Sequence, residues 1–411
     1  MTSLSDRIAE LDANDPLREF REDFQLRDGL IYLDGNSLGA VPKATAAAMQ
    51  NAVSEQWGEG LITSWLGADW VNSPSRIGDK IAGLMGANPG EVIAADSTSV
   101  NIFKALGAAL SLQKGRSVIL TEEGNFPTDH YMMQGLERLS DGTVQSLALP
   151  AEAVLDRLDS DIAVLLLTQV HYKSGAMRDM AAINAAAHKH GVLVIWDLSH
   201  STGAVEVDLD GSKADFAIGC GYKFLNGGPG APAYIYVAER HQHADAVLAG
   251  WFGHARPFAF EERYEAASGI ERFLCGTPPI LGMVALEEGV DLIAKADMRD
   301  VRAKSVALAQ LLIELMKPLC EEFGFTLASP EGRAIAGSHV SYAHEQAYAI
   351  TQALKEHDVI GDFRAPDVLR LGLTPLYLRY ADIADAVARM REVCETRSWD
   401  RPEFRERASV T

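Results

Sequence analysis

Through the middle of the chain, apolar residues gather in short continuous runs instead of alternating with polar ones. Glu91–Ala95, Ser117–Leu120, Ala163–Val170, Val192–Asp197, Phe216–Gly219 and Ala233–Val237 are largely β-branched or aliphatic, and helical stretches separate them. A strand buried on both faces reads as a near-continuous apolar run. The pattern therefore predicts an α/β domain, with a mostly parallel central sheet covered by helices on both faces. Such sheets bind ligands at the carboxyl ends of their strands.

The periodicity changes on either side. A helix-like stretch covers about Lys43 to Trp57, within an N-terminal arm. Pro278-Pro279 opens long helical patterning from about Leu281 to Leu319, and the remainder is α+β, with helices near His344–His357 and Ala381–Thr396. The division expected is an N-terminal arm with part of a small domain (residues 1–60), a large domain (61–285), and a connecting helix with a small C-terminal domain (286–411). No internal repeat or low-complexity segment interrupts it. The charged tail after Arg397 is expected to be weakly ordered.

Length and composition agree with this division: 411 residues, 47% hydrophobic and 23% charged, is enough for two globular domains. The formal net charge of −20 would repel a phosphate backbone, which argues against nucleic acid as a partner. The start of the chain has neither a basic segment nor an apolar one, and no run approaches the ~20 apolar residues that span a bilayer. A cytoplasmic protein without a membrane partner is expected. The four cysteines, Cys220, Cys275, Cys320 and Cys394, stand far apart and read as small hydrophobes rather than a disulfide or zinc framework.

Candidate chemistry collects at the strand ends. The run Val192–Asp197 continues as Leu198-Ser199-His200, placing a carboxylate where a ligand should sit. An Asp there can pair with a pyridinium nitrogen and keep it protonated, making the ring an electron sink; it can also simply cap the following helix. Twenty-six residues later, Tyr222-Lys223-Phe224 leads into Leu225-Asn226-Gly227-Gly228-Pro229-Gly230. A Lys at a strand end before a Gly-rich turn can reach the same crevice, and a desolvated Lys forms Schiff bases. An isolated Lys in a loop would mean nothing. The combination of Asp197, His200, Tyr222 and Lys223 in this order points to pyridoxal 5′-phosphate (PLP).

A phosphate needs donors, and Asp96-Ser97-Thr98-Ser99 supplies hydroxyls at the start of the helical run Val100–Leu110. The same residues are good helix caps. Phe126, in Phe126-Pro127-Thr128-Asp129, could stack on a planar ring or pack in the core. The pairs His188/His190 and His241/His243 are two residues apart, whereas neighbours on one helix face are three or four apart; solvated surface positions are expected, and no metal site.

Taken in order, these strings resemble the fold-type-I PLP enzymes of the class V aminotransferase group, and within it the kynureninase family of bacterial type. The resemblance runs from Ile31-Tyr32-Leu33-Asp34-Gly35-Asn36-Ser37-Leu38-Gly39 to Leu371-Gly372-Leu373-Thr374-Pro375-Leu376-Tyr377. It includes Gly250-Trp251-Phe252-Gly253-His254 and Gly276-Thr277-Pro278-Pro279-Ile280-Leu281. It implies that Lys223 carries PLP, Thr98 and Ser99 hold its phosphate, and Phe126 stacks on its ring. Asp129 and Thr168 would lie beside the ring, Asp197 on its nitrogen, His200 nearby and Tyr222 at the phosphate. Trp251 and Thr277 match positions that reach a cofactor across a subunit interface, implying a homodimer with shared active sites.

The resemblance also implies a substrate and a reaction. Arg370, in Val368-Leu369-Arg370-Leu371-Gly372, matches the position that grips an α-carboxylate; a buried structural ion pair is an equal reading of the residue alone. Ser37, Trp65 and Thr277 would border the aromatic part. The activity implied is hydrolytic cleavage of the Cβ–Cγ bond of kynurenine, and possibly 3-hydroxykynurenine, giving anthranilate or 3-hydroxyanthranilate plus alanine, in tryptophan degradation. Lys223, Tyr222 and Asp197 would be the catalytic residues. Competing readings are another class V enzyme, such as a cysteine desulfurase, selenocysteine lyase or aminotransferase, and a non-catalytic binding protein of the same fold. A desulfurase needs a mobile thiol, and no cysteine lies between Cys320 and Cys394.

Overall fold

The computed structural model describes residues 3–407. Seven strands form the central sheet: β1 (Val92–Ala94), β2 (Val118–Glu122), β3 (Gln145–Leu149), β4 (Ile162–Thr168), β5 (Leu193–Asp197), β6 (Phe216–Gly219) and β7 (Tyr234–Val237). Their spatial order is β1-β7-β6-β5-β4-β2-β3. Only β7 runs against its neighbours; the other pairings are parallel.

The continuous apolar runs are explained by coverage of both faces. Every residue of β4 is buried. Leu165 and Leu167 point into one hydrophobic cluster with Leu120, Val194 and Trp196, while Val164 and Leu166 point into another with Ile119, Ile195 and Ile102. Strand β3 escaped the sequence reading because it is an edge strand whose residues are only partly buried, so Gln145-Ser146-Leu147-Ala148-Leu149 shows no apolar run.

A second, antiparallel sheet lies toward the C-terminus: Asp362–Arg364, Val368–Gly372, His339–Ala343 and Thr326–Leu327, in that order. The N-terminal strand Ile31–Tyr32 pairs in parallel with Val359–Ile360, so the arm is tied to this region. The first hydrophobic cluster is continuous from the central sheet through Leu308, Val340, Leu369 and Ile383.

The long helical patterning after Pro279 is two helices, Ile280–Ile293 and Met298–Phe323. Asp297 interrupts it: its backbone is extended and its carboxylate accepts the Arg299 N–H, capping the second helix. The Lys43–Trp57 stretch begins as an α-helix to Asn51 and finishes as a π-helical turn, Ala52–Trp57. No helix among the described residues is long and apolar enough to cross a membrane.

Candidate active site

Strands β4, β5 and β6 end side by side, and their following loops line a cavity of about 160 Å³. Its walls include Ser97, Thr98, Ser99, Phe126, Thr168, Tyr172, Asp197, His200, Tyr222 and Lys223. Eight of the sequence candidates thus converge: Thr98, Ser99, Phe126, Thr168, Asp197, His200, Tyr222 and Lys223.

Lys223 is held by the turn that follows it. The Asn226 N–H donates to the Lys223 carbonyl at 2.9 Å, and Gly227 closes on Gly221 at 2.9 Å. Asn226 has φ +55°, a left-handed conformation that Asn tolerates better than most residues. The N-terminal arm presses on the same turn, since the Gly39 N–H donates to the Tyr222 carbonyl at 2.8 Å. A Cβ at Gly39 would lie 2.2 Å from the Lys223 carbonyl oxygen, which is why the Asn-Ser-Leu-Gly string ends in glycine. Lys223 Nζ lies 3.0 Å from His200 Nε2 and 5.8 Å from the centre of the Phe126 ring.

Two carboxylates sit behind the cavity. Asp197, at the end of β5, accepts the Ser199 N–H at 2.7 Å. Burial pushes its pKa above the usual carboxylate value, while Ser199 and Lys223 oppose the rise. Asp129 is wholly buried, and neither oxygen has a hydrogen-bond partner. Burial, then the neighbouring Asp197, push it well above the usual carboxylate range; Asn125 and Thr168 are close enough to offset part of that without completing a bond. Thr168 instead donates to Asn125 at 2.6 Å. His200 is buried with Nδ1 unpartnered, and burial and the Lys223 charge hold it well below the ordinary imidazole value. Burial also raises Tyr222.

The helix-cap reading of the hydroxyl-rich turn is observed, and the turn also borders the cavity. Ser97 caps the helix Thr98–Leu112 by accepting the Val100 N–H, which leaves Thr98 and Ser99 in its first turn, facing the cavity. A helix start with free N–H groups and two hydroxyls favours an anion. The donor set therefore fits PLP: an amine, a carboxylate 3% exposed at the strand end, an aromatic ring and an anion cradle share one cavity.

Arg370 and Ser37 lie beside this cavity rather than in its wall. Arg370 donates to Asp362 Oδ1 (3.0 Å) and Oδ2 (2.5 Å), to Ser37 Oγ (2.7 Å) and to the Tyr172 carbonyl (2.5 Å). Trp65, Trp251 and Thr277 do not reach it. Trp65 packs against Trp70 and Phe252, Trp251 against Phe252, Phe258 and Phe260, and Thr277 is exposed.

Several participants gave no sequence signal. Tyr172 lines the cavity edge-on to Phe126, with ring centres 5.2 Å apart, and its carbonyl anchors Arg370. His339, from the C-terminal sheet, faces His200 with ring centres 5.6 Å apart, and both of its nitrogens are buried without partners. The expectation that His188 and His241 are merely solvated is corrected. Their Nε2 atoms lie 2.8 and 2.9 Å from the buried carboxylate of Asp215, which joins two elements that sequence spacing cannot relate. His190 and His243 are exposed.

Comparison with known proteins identifies similar chains. Residues 301–390 match the family model described as the kynureninase C-terminal domain. Kynureninase from Pseudomonas fluorescens is 48% identical over the whole of both chains. Kynureninase from Deinococcus radiodurans is 49% identical over 94% of this chain and 95% of its own. That from Burkholderia pseudomallei is 46% identical over 98% of each. Among solved structures, a cysteine desulfurase from Thermococcus onnurineus NA1 superposes with a TM-score of 0.76 at 17% identity, over 96% of this chain and 100% of that one. A cystine C-S lyase in complex with cysteine persulfide gives 0.75 at 17% identity, over 88% and 97%. At that identity the likeness is one of fold.

Proposed function

The chain belongs to the kynureninase family, and from that premise we propose that the cavity around Lys223 is its active centre. The activity is that of a PLP-dependent kynureninase: hydrolysis of the Cβ–Cγ bond of kynurenine, yielding anthranilate and alanine. One observation carries the assignment to this cavity. The Lys223 amine, the Asp197 carboxylate, the Phe126 ring and the Thr98 and Ser99 hydroxyls border the same space.

Bound here, PLP would supply a carbonyl that captures amines and a ring that takes up negative charge from the substrate α-carbon. Lys223 Nζ would hold that carbonyl between turnovers and, once the substrate amine has displaced it, take the α-proton. Asp197 would keep the ring nitrogen protonated, with Asp129 and Thr168 packed beside the ring. Thr98 and Ser99 would bind the phosphate, and Phe126 would cover one ring face, an aromatic contact that contributes ~0.5–1.5 kcal/mol. His200, held neutral by burial, can accept a hydrogen bond from Lys223 Nζ at Nε2 and so orient it. The Tyr222 phenol, kept protonated by burial, would act as a proton relay: it would donate to the γ-carbonyl oxygen as water adds, regain a proton from that water, and pass it to the β-carbon as the bond breaks. Arg370 would hold the α-carboxylate end, and Ser37, which accepts a hydrogen bond from it, would steady it there rather than border the aromatic part.

We further propose a homodimer. Consecutive turns from Ala52 to Gly67 expose Trp57, Leu61, Ile62 and Leu66, the last at 83%, and a chain of ring contacts through Trp65, Phe252 and Trp251 continues to exposed Phe258 and Phe260. An apolar surface of this extent calls for a partner. A second copy would carry Trp65, Trp251 and Thr277 to a neighbouring active site, consistent with their distance from the cavity in one chain. A cytoplasmic location fits four cysteines that are all unpaired.

Incubation with kynurenine and PLP, without any keto-acid acceptor, should release anthranilate and alanine in equal amounts. Sulfide or selenide release from cysteine or selenocysteine, or turnover that requires a keto acid, would instead select the competing class V readings.

A further inference from the structure

The two arginines beside the cavity are not equivalent. Arg370 is 1% exposed, and a guanidinium has five N–H donors. Four are committed: Nε and one Nη2 donor to Asp362, the second Nη2 donor to Ser37, and one Nη1 donor to the Tyr172 carbonyl. With the Asn36 amide turned so that its oxygen faces the guanidinium, it too accepts from Nε at 2.9 Å and Nη2 at 3.2 Å. Of the two edges of Arg370 that can make two parallel bonds, the Nη1/Nη2 edge has one donor taken by Ser37, and the Nε/Nη2 edge is filled by Asp362. An incoming carboxylate would have to displace a buried carboxylate to use it, and breaking a buried pair is strongly unfavourable.

Arg364 is different. It donates from Nη2 to the same Asp362 oxygen at 2.7 Å and to the same Ser37 hydroxyl at 3.2 Å, yet its side chain is 32% exposed. Its Nε is buried without a partner. Its positive charge acts on Tyr222 and His200, which line the Lys223 cavity. The cluster holds two guanidinium charges against the single carboxylate of Asp362. Asp34, the other acid nearby, is pushed up to about 7 by burial and by Asp362, so near neutrality it supplies only part of a second negative charge. A partly buried cluster with excess positive charge, a donor to spare on Arg370 and an unpartnered donor on Arg364 is built to receive one more anion.

We propose that Arg364 is a substrate-binding residue, and that the α-carboxylate of the amino-acid substrate bridges Arg364 and the free donor of Arg370 instead of forming two bonds to Arg370 alone. Asp362 and Ser37 then act as positioning residues that set the spacing between the two guanidinium groups. This rests on the reading of Lys223 as the cofactor-bearing residue of an enzyme acting on amino acids.

The test uses the PLP-loaded enzyme, titrated with L-alanine and with L-alaninamide while the absorption of the bound cofactor is followed. Arg364→Gln should weaken L-alanine binding about tenfold or more, the scale of one charge-assisted hydrogen bond, and leave L-alaninamide within about twofold of the wild type. For kynurenine, KM should rise with kcat largely kept. Arg364→Lys, which retains the charge but not the planar fork, should recover part of the L-alanine loss and serves if the glutamine variant does not fold. Equal losses for both ligands in either variant would mean a structural role and overturn the proposal, as would no loss for either. Wild-type protein that shows no spectral response to any amine would instead count against the assignment of Lys223.

Discussion

Strand β6 has an aspartate before it and a lysine beyond it, and the two ends of this one strand have opposite characters. At its start, Asp215 is saturated: Val194 N–H, His188, His241 and Arg240 all converge on its two oxygens at 2.8–2.9 Å. Past its end, the groups around Lys223 are short of partners, with both oxygens of Asp129, Nδ1 of His200 and both nitrogens of His339 buried and unbonded. The residue types are nearly the same, acids with histidines and a cation. Satisfied polar groups fasten a structure, whereas unsatisfied ones buried around a cavity mark where another molecule completes the bonding. The carboxyl end of the sheet is the chemical end for that reason as well as for its topology.

The largest expected break in this comparison is Lys223→Ala, which should lower kcat for kynurenine cleavage by more than ~10³-fold while the thermal midpoint stays near the wild-type value. Borohydride should fix the cofactor to the wild-type protein and not to the variant. At the opposite end of the strand, Asp215→Asn should do the reverse. Urea unfolding should show a loss of about 2–3 kcal/mol, moderated because His188 and Arg240 remain partly solvated, with kcat within about twofold of the wild type. A kcat loss in Asp215→Asn larger than its stability loss explains would erase the distinction between the two ends.

Asp215, at the start of β6, and Asp34, in the arginine cluster beside the cavity, should also respond to pH with opposite sign. Asp215 lies below the usual carboxylate range because of its hydrogen bonds to His188, His241 and Val194, against the effect of burial. Its contribution is therefore present above the unfolded value near 3.8 and lost as pH falls. Asp34, raised to about 7, keeps its proton in the folded chain where the unfolded chain has already lost it, so stability declines as pH rises from about 4 to about 7. Thermal midpoints of wild type and Asp34→Asn between pH 5 and pH 8 should diverge, with the wild type losing ground by on the order of 2 kcal/mol. Parallel curves would remove Asp34 from the account. The smallest effect concerns substrate choice: if Trp65 borders the aromatic pocket with an apolar face, kcat/KM should favour kynurenine over 3-hydroxykynurenine by about tenfold, because a buried hydroxyl would go unpaired.

Strand ends were legible because both of their signals are local. An apolar run locates the strand, and the next few residues supply the chemistry, as with Asp197 and Lys223. The edge strand Gln145–Leu149 and the break at Asp297 were not, since one lacks a second buried face and the other is a single cap within helical periodicity. Local reading also failed where partners come from distant parts of the chain. Asp215 gathers His188 and His241 from opposite sides in sequence, and Arg370 meets Ser37 only through the fold. Trp65, Trp251 and Thr277 were singled out by resemblance alone, and within a single chain the cavity does not call on them.

The contact between Ser37 and Arg370 spans 333 residues. During synthesis at about 5–20 residues per second, the arm that steadies the Lys223 turn through Gly39 would leave the ribosome roughly a quarter of a minute to a minute before its partner strand exists. Through that interval Ile31 and Leu33, both buried in the finished protein, have nothing to pack against from the C-terminal region. The first segment made is among the last to be secured, so a nascent chain stalled before residue 359 would hold all seven strands of the central sheet and an active site with one side still open.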